Sequence, residues 1–106
     1  MAKTMKTYGP AAMHATATTM WTTPASSITA LQWLTIVNTG ANTRTVQIAI
    51  GTLGAGTYII NESIAPGATI HRFLGDRAGA SVAIQETQGA GTDCTLTLGY
   101  DENTVG

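Results

Sequence analysis

The sequence predicts an all-β fold, a single antiparallel β-sandwich of jelly-roll or Ig-like type with about seven to eight strands. Three observations predict it. First, residues 24 to 51 read as proline turn, strand, tight turn and strand, with Thr, Ile, Val and Leu filling both strands and Asn38, Gly40 and Asn42 between them. Second, turn signals recur at short spacing, at Gly51 to Gly56, Pro66-Gly67, Gly75 to Gly79 and Gly89 to Asp93. Third, no segment has a convincing amphipathic helical period. The Ala-rich stretch at 11 to 20 is interrupted by Thr, a weak helix former.

The 106 residues are enough for one domain with a modest core. Residues 1 to 12 read as an extended N-terminal arm, because Gly9-Pro10 interrupts regular structure; deleting residues 2 to 9 is expected to leave the fold intact. Residues 13 to 100 form the sandwich domain. A first strand at 13 to 23 ends at Pro24, which donates no ladder hydrogen bond. The next, 28 to 38, is apolar on both faces, with Leu31, Trp33 and Val37 on one and Leu34 and Ile36 on the other. Strand 43 to 50 alternates cleanly and turns Val46, Ile48 and Ile50 inward. Strands follow at about 57 to 63, 68 to 74, 80 to 88 and 94 to 100, the last with Cys94, Leu96, Leu98 and Tyr100 on one face. Residues 101 to 106 read as a polar C-terminal tail.

Charged residues make up only 10% of the chain, against about 25% in an ordinary soluble domain. Threonine takes their place, with 20 residues. Outer strand faces should therefore carry hydroxyls instead of charges, which suits packing against other protein. The five cations are scattered, so phosphate recognition and nucleic-acid partners are excluded as a main role. No run of 18 apolar residues and no signal-peptide core occurs, which argues against a membrane partner and makes the Asn61-Glu62-Ser63 sequon a chance match. Cys94 is the only cysteine. It cannot form a disulfide within the chain, fits a reducing cytosol, and should be a small buried residue.

Catalytic, cofactor and metal residues are not expected. Glu62 and Glu86 are the one pair of acids that neighbouring strands might bring together, but solvated strand-face acids are the simpler expectation. The serines lack a nucleophile elbow for His71, which reads as a surface or interface histidine. His14 and His71 form no zinc pattern with Cys94. The glycines at 51 to 56 match no phosphate-binding motif. The candidate interface residues are Lys3, Lys6, Tyr8, Trp21, Leu31, Trp33 and Val37. Trp21 also carries an alternative, an exposed platform for a sugar.

The runs Trp21 to Ile28, Leu34-Thr-Ile-Val-Asn38-Thr39-Gly40, Arg44 to Gly51 and Ile64-Ala65-Pro66-Gly67 resemble small β-sandwich proteins of tailed bacteriophage particles over residues 20 to 75. The resemblance implies a virion role, made in the bacterial host cytoplasm: a capsid cement or decoration protein that bridges major capsid protein subunits, commonly as a homo-oligomer with a trimer favoured. A tail or baseplate structural protein is the nearest alternative, and a carbohydrate-binding module a more distant one. The resemblance carries over no catalytic residues and no cofactors.

Overall fold

The computed structural model describes residues 2–54 and 57–104; residues 55–56, within the glycine-rich connection, and the last two residues of the expected tail lie outside the described set. Nine strands follow one another: β1 (Ala2–Ala12), β2 (Thr18–Thr22), β3 (Ser27–Asn38), β4 (Arg44–Ile50), β5 (Tyr58–Ile64), β6 (Thr69–Phe73), β7 (Arg77–Ala78), β8 (Ala83–Thr87) and β9 (Cys94–Thr104). They form two antiparallel sheets. The first has the order β1-β9-β3-β6, with the short β7 also on β3; the second has the order β2-β8-β4-β5. With β6 and β7 counted as two parts of one edge, these are eight strands wound alternately into two four-stranded layers, which is the jelly-roll arrangement. Among the described residues no helix is long and apolar enough to cross a membrane.

The core lies between the sheets. β9 supplies Cys94, Leu96 and Leu98, β3 supplies Leu31, Leu34 and Ile36, and β4 and β8 answer with Val46, Ile48 and Ile84. The inward residues expected at 94 to 100 are the observed ones; in 43 to 50 Val46 and Ile48 are buried as expected, but Ala49, expected on the outer face, is buried too and Ile50 only partly. Cys94 is fully buried, and burial, followed by the nearby Asp93 charge, pushes its thiol above the ordinary range. A thiol held neutral and out of solvent is a poor nucleophile. Alkylation of Cys94 by iodoacetamide is expected to be negligible in the native protein at pH 7.5 and rapid in urea; mass spectrometry of the two samples checks this.

Three sequence expectations are corrected. Residues 2 to 12 are not an arm. They form an edge strand of the first sheet, paired with β9 from Ala2↔Thr104 to Ala12↔Thr95. Gly9-Pro10 does not end this strand, because the register shift between Tyr8 and Ala11 places both residues in a β-bulge. Edge bulges tolerate a proline that has no N–H, and a glycine takes the positive φ that the bulge needs; Gly9 has φ +87°. Deleting residues 2 to 9 would therefore strip one flank from β9. Likewise residues 101 to 104 continue β9 and are not a free tail.

The second correction concerns β3. It is not apolar on two faces. A bulge between Leu31 and Trp33 leaves Gln32 without a partner on β9, so the inward phase slips by one residue. Ser27, Thr29 and Leu31 face the core before the bulge, and Leu34, Ile36 and Asn38 face it afterwards. On the other flank, Leu31 N–H donates to the Asp76 carbonyl and Leu74 N–H to the Gln32 carbonyl, bridging the gap between β6 and β7.

The third correction concerns the segment from Pro24 to Gly51, which is not a hairpin. β3 and β4 lie in different sheets. Asn38 makes the corner between them. Its buried amide donates to the carbonyls of Asn42 (2.8 Å) and Ile64 (3.0 Å), and its oxygen accepts from Gly40 N–H.

Candidate functional site

Because the phase of β3 slips at Gln32, Trp33 is turned out of the core onto the outer face of the first sheet. Its indole lies flat across β9. A Cβ on Gly99 would stand 2.2 Å from the indole Nε1, so the bare backbone of Gly99 is the bed on which the ring rests. Opposite Trp33 on β6 stands Phe73, 84% exposed, and on β1 at the other edge of the sheet stands Met5, 79% exposed. Between them runs a groove of about 540 Å³ that crosses all four strands, lined by Met5, Thr7, Gln32, Trp33, Phe73 and Gly99 among others. Three strand spacings make it about 14 Å long.

The groove is braced on its β6 side. His71 has its ring centroid 6.1 Å from that of Trp33 and meets Phe73 edge-on at 5.1 Å. Its Nδ1 is 2.7 Å from the hydroxyl of Thr35, the residue directly across the ladder. At the other end the Gln32 amide donates to Asp101 Oδ2 at 2.9 Å. The result is a row of exposed apolar side chains on a sheet face that also carries Thr7 and Thr35.

Three cations among the described residues are neutralised locally. Lys6 binds Glu102 at 2.8 Å, Arg44 binds Asp93 at 2.6 Å, and Arg72 grips Glu62 with two nitrogens at 2.6 and 3.0 Å, joining β6 of one sheet to β5 of the other. The hydrogen bond and then the charge of Glu102 hold the Lys6 ammonium above its ordinary value of 10.5.

The sequence-derived candidates divide into three groups. Leu31 is in the core at 1% exposure and so has no surface to offer a partner; the bulge after it was invisible in the alternation. Tyr8 and Trp21 come together inside one end of the sandwich. Trp21 stacks on Tyr100 at 4.5 Å and on Tyr8 at 5.6 Å, so it is not a free platform for a sugar. Burial pushes both phenols above their ordinary value of 10, with Glu86 adding to the effect on Tyr8 and Glu102 on Tyr100; the stack is a neutral plug. Trp33 and half-buried Val37 do lie on the outer face. Lys6 is at the β1 edge of that sheet, and Lys3 pairs through its backbone with Asn103, its side chain lying outside the described set. Met5, Gln32, Phe73 and Gly99 were missed as members of this surface, whereas His71 is on it as the surface or interface histidine expected. The spacing of His71 and Phe73, two residues apart on a short strand, was the signal that pointed to it.

The two acids considered together do not meet. Glu62 is held by Arg72, while Glu86 is buried at 1% exposure beneath the β1–β2 connection. There it accepts from His14 N–H at 3.0 Å and contacts His14 Nδ1 at 2.5 Å. It is a structural clasp, not a solvated strand-face acid. Among the described residues no group of three or more His, Cys, Asp or Glu side chains is placed to hold a metal ion.

No protein-family model matches the chain, and no curated protein matches it in sequence. Solved structures do match its fold. A chain of the Bacillus endospore appendages, described as a novel family of disulfide-linked pili, superposes with a TM-score of 0.55 at 18% identity, over 99% of this chain and 87% of that one. The Tobacco streak virus coat protein dimer gives 0.54 at 10% identity, over 98% and 86%. The T13 IBDV viral particle gives 0.55 at 9% identity, over 96% of this chain and 31% of that one. At these identities what is shared is the jelly-roll itself.

Proposed function

We propose that the protein is a structural subunit of a tailed-phage virion, a capsid cement or decoration protein whose outer sheet face packs against major capsid protein subunits. The observation that carries this reading is the groove of Met5, Trp33 and Phe73, an exposed apolar row on a threonine-rich face. Large aromatics at the centre of a weakly charged surface are the usual anchors of a protein contact. The three local ion pairs support it, because those ions are already partly compensated and need not be stripped of solvent singly on contact. So do the virion-protein resemblance over residues 20 to 75 and the jelly-roll, an architecture much used by capsid proteins. Fold alone does not carry function, so the weight rests on the surface. On a symmetric shell many modest contacts of this kind add up to firm attachment.

The test is reconstitution. Purified protein is added to shells assembled from the major capsid protein of the same virus, and bound copies are counted after sedimentation. Trp33→Ala and Phe73→Ser are each expected to weaken attachment about ten-fold or more. Phe73→Ser should leave thermal stability nearly unchanged, since that side chain is outside the core. Wild-type protein that ignores the shells but decorates tail tubes would move the assignment to the tail or baseplate alternative. Attachment unaffected by either substitution would remove the groove from the contact.

A further inference from the structure

The four sheet edges of the sandwich are not equivalent. β2 has five residues and a register shift between Thr19 and Trp21. β5 has seven and a shift opposite Ile48 and Ala49. β6 has five and breaks off before β7. Short and bulged edges resist pairing with other chains. β1 is different. It has 11 residues, its bulge is confined to Gly9-Pro10, and residues 2 to 8 run in unbroken register along β9. Among the described residues no strand pairs with the other flank of this run. The exposed Lys6, which as a free charge would discourage pairing, is neutralised by Glu102.

We infer that β1 is a self-pairing edge, and that two copies of the chain join antiparallel through residues 2 to 8 about a two-fold axis at Met5. The register follows from three requirements. Antiparallel two-fold pairing sets residue i against residue 2c − i, where c is the residue on the axis. Outer faces must meet outer faces, so the axis falls on a residue and not between two. Like charges must not oppose one another. An axis at Lys6 sets Lys6 against its own copy. An axis at Thr4 pairs only residues 2 to 6. An axis at Met5 pairs all of residues 2 to 8, sets Lys6 against Thr4 and Lys3 against Thr7, and brings the two exposed Met5 side chains together. The first sheets of the two copies then become one continuous sheet of twice the width, with the two aromatic grooves on the same side. This is β-strand addition with a second copy as the added strand. It does not depend on what the groove binds.

The experiment uses sedimentation equilibrium of the full chain, together with oxidative cross-linking of Met5→Cys. Directly opposed residues of an antiparallel pair have Cα atoms about 4.5–5.5 Å apart, within disulfide range. Met5 is exposed, so the substitution leaves the core untouched, and the native Cys94 is buried. A reversible dimer is expected, and Met5→Cys should link at least about ten-fold faster than Thr52→Cys, an exposed control in the β4–β5 connection. A chain that stays monomeric at every concentration, a trimer, or a dimer in which Met5→Cys links no faster than the control overturns the inference. Phe73→Ser should leave the dimer in place, so failure of the capsid reading and failure of this pairing are read separately.

Discussion

Replacing Gly9 with alanine is expected to destabilise the fold by about 2–5 kcal/mol, lowering the melting temperature by about 10 °C or more. Two costs combine. The residue sits at φ +87°, where an L side chain is strained. A Cβ would also stand 2.3 Å from the Leu96 carbonyl oxygen and 2.9 Å from Ala11 N, both backbone atoms that cannot rotate aside. Gly67 separates the two terms. It has φ +76° but nothing within 4 Å of the added Cβ, so Gly67→Ala should cost only about 1–2 kcal/mol. Urea unfolding of both variants measures the difference. Equal losses would mean that the bulge is not clamped against β9.

The second large effect is expected at His14. The Glu86 carboxylate is buried, while the His14 side chain that faces it is 53% exposed. The two partners are therefore unequal. His14→Ala leaves a carboxylate in the core with only the backbone N–H of residue 14, and should cost about 3 kcal/mol. Glu86→Gln keeps a side-chain acceptor at the same position without the charge and should cost less. Chemical denaturation of the two variants gives the order. His71→Ala, which removes a hydrogen bond between exposed groups, is the control and should fall within about 1 kcal/mol of the parent. A His14→Ala loss no larger than that of His71→Ala would show that water reaches Glu86.

Much of the layer structure was legible because period-two alternation marks a face unambiguously when one side is polar. Val46, Ile48 and Ile50 against Thr45 and Gln47, and Leu96 and Leu98 against Thr95 and Thr97, left one choice. What the alternation could not carry was any insertion that reverses its phase. In β3 the slip at Gln32 made one strand look apolar on two sides, which hid the core role of Leu31 and the outward turn of Trp33. In β1 the same kind of slip reads as a break in regular structure and so as an arm, because glycine and proline mark bulges as readily as they mark turns. The Glu86 clasp was out of reach for another reason. Its two residues are 72 positions apart and meet only because β8 lies under the β1–β2 connection. The groove falls between these cases. Its aromatics were all visible, but which of them shared a face depended on the slip in β3.

The place of β9 has a consequence for how the chain is made. It lies between β1 and β3 and hydrogen-bonds both along nearly its whole length. While residues 94 to 104 are still unsynthesised, β1 has no neighbour in its sheet and β3 lacks one of its flanks. The nascent polypeptide has no stable stopping point short of this segment, and the first sheet closes only once residues 94 to 104 have been made. Pairings across so much sequence form slowly. During that interval the unpaired strands are open to aggregation, so yield in the cell should depend more on temperature and rate of synthesis than on the stability of the finished sandwich.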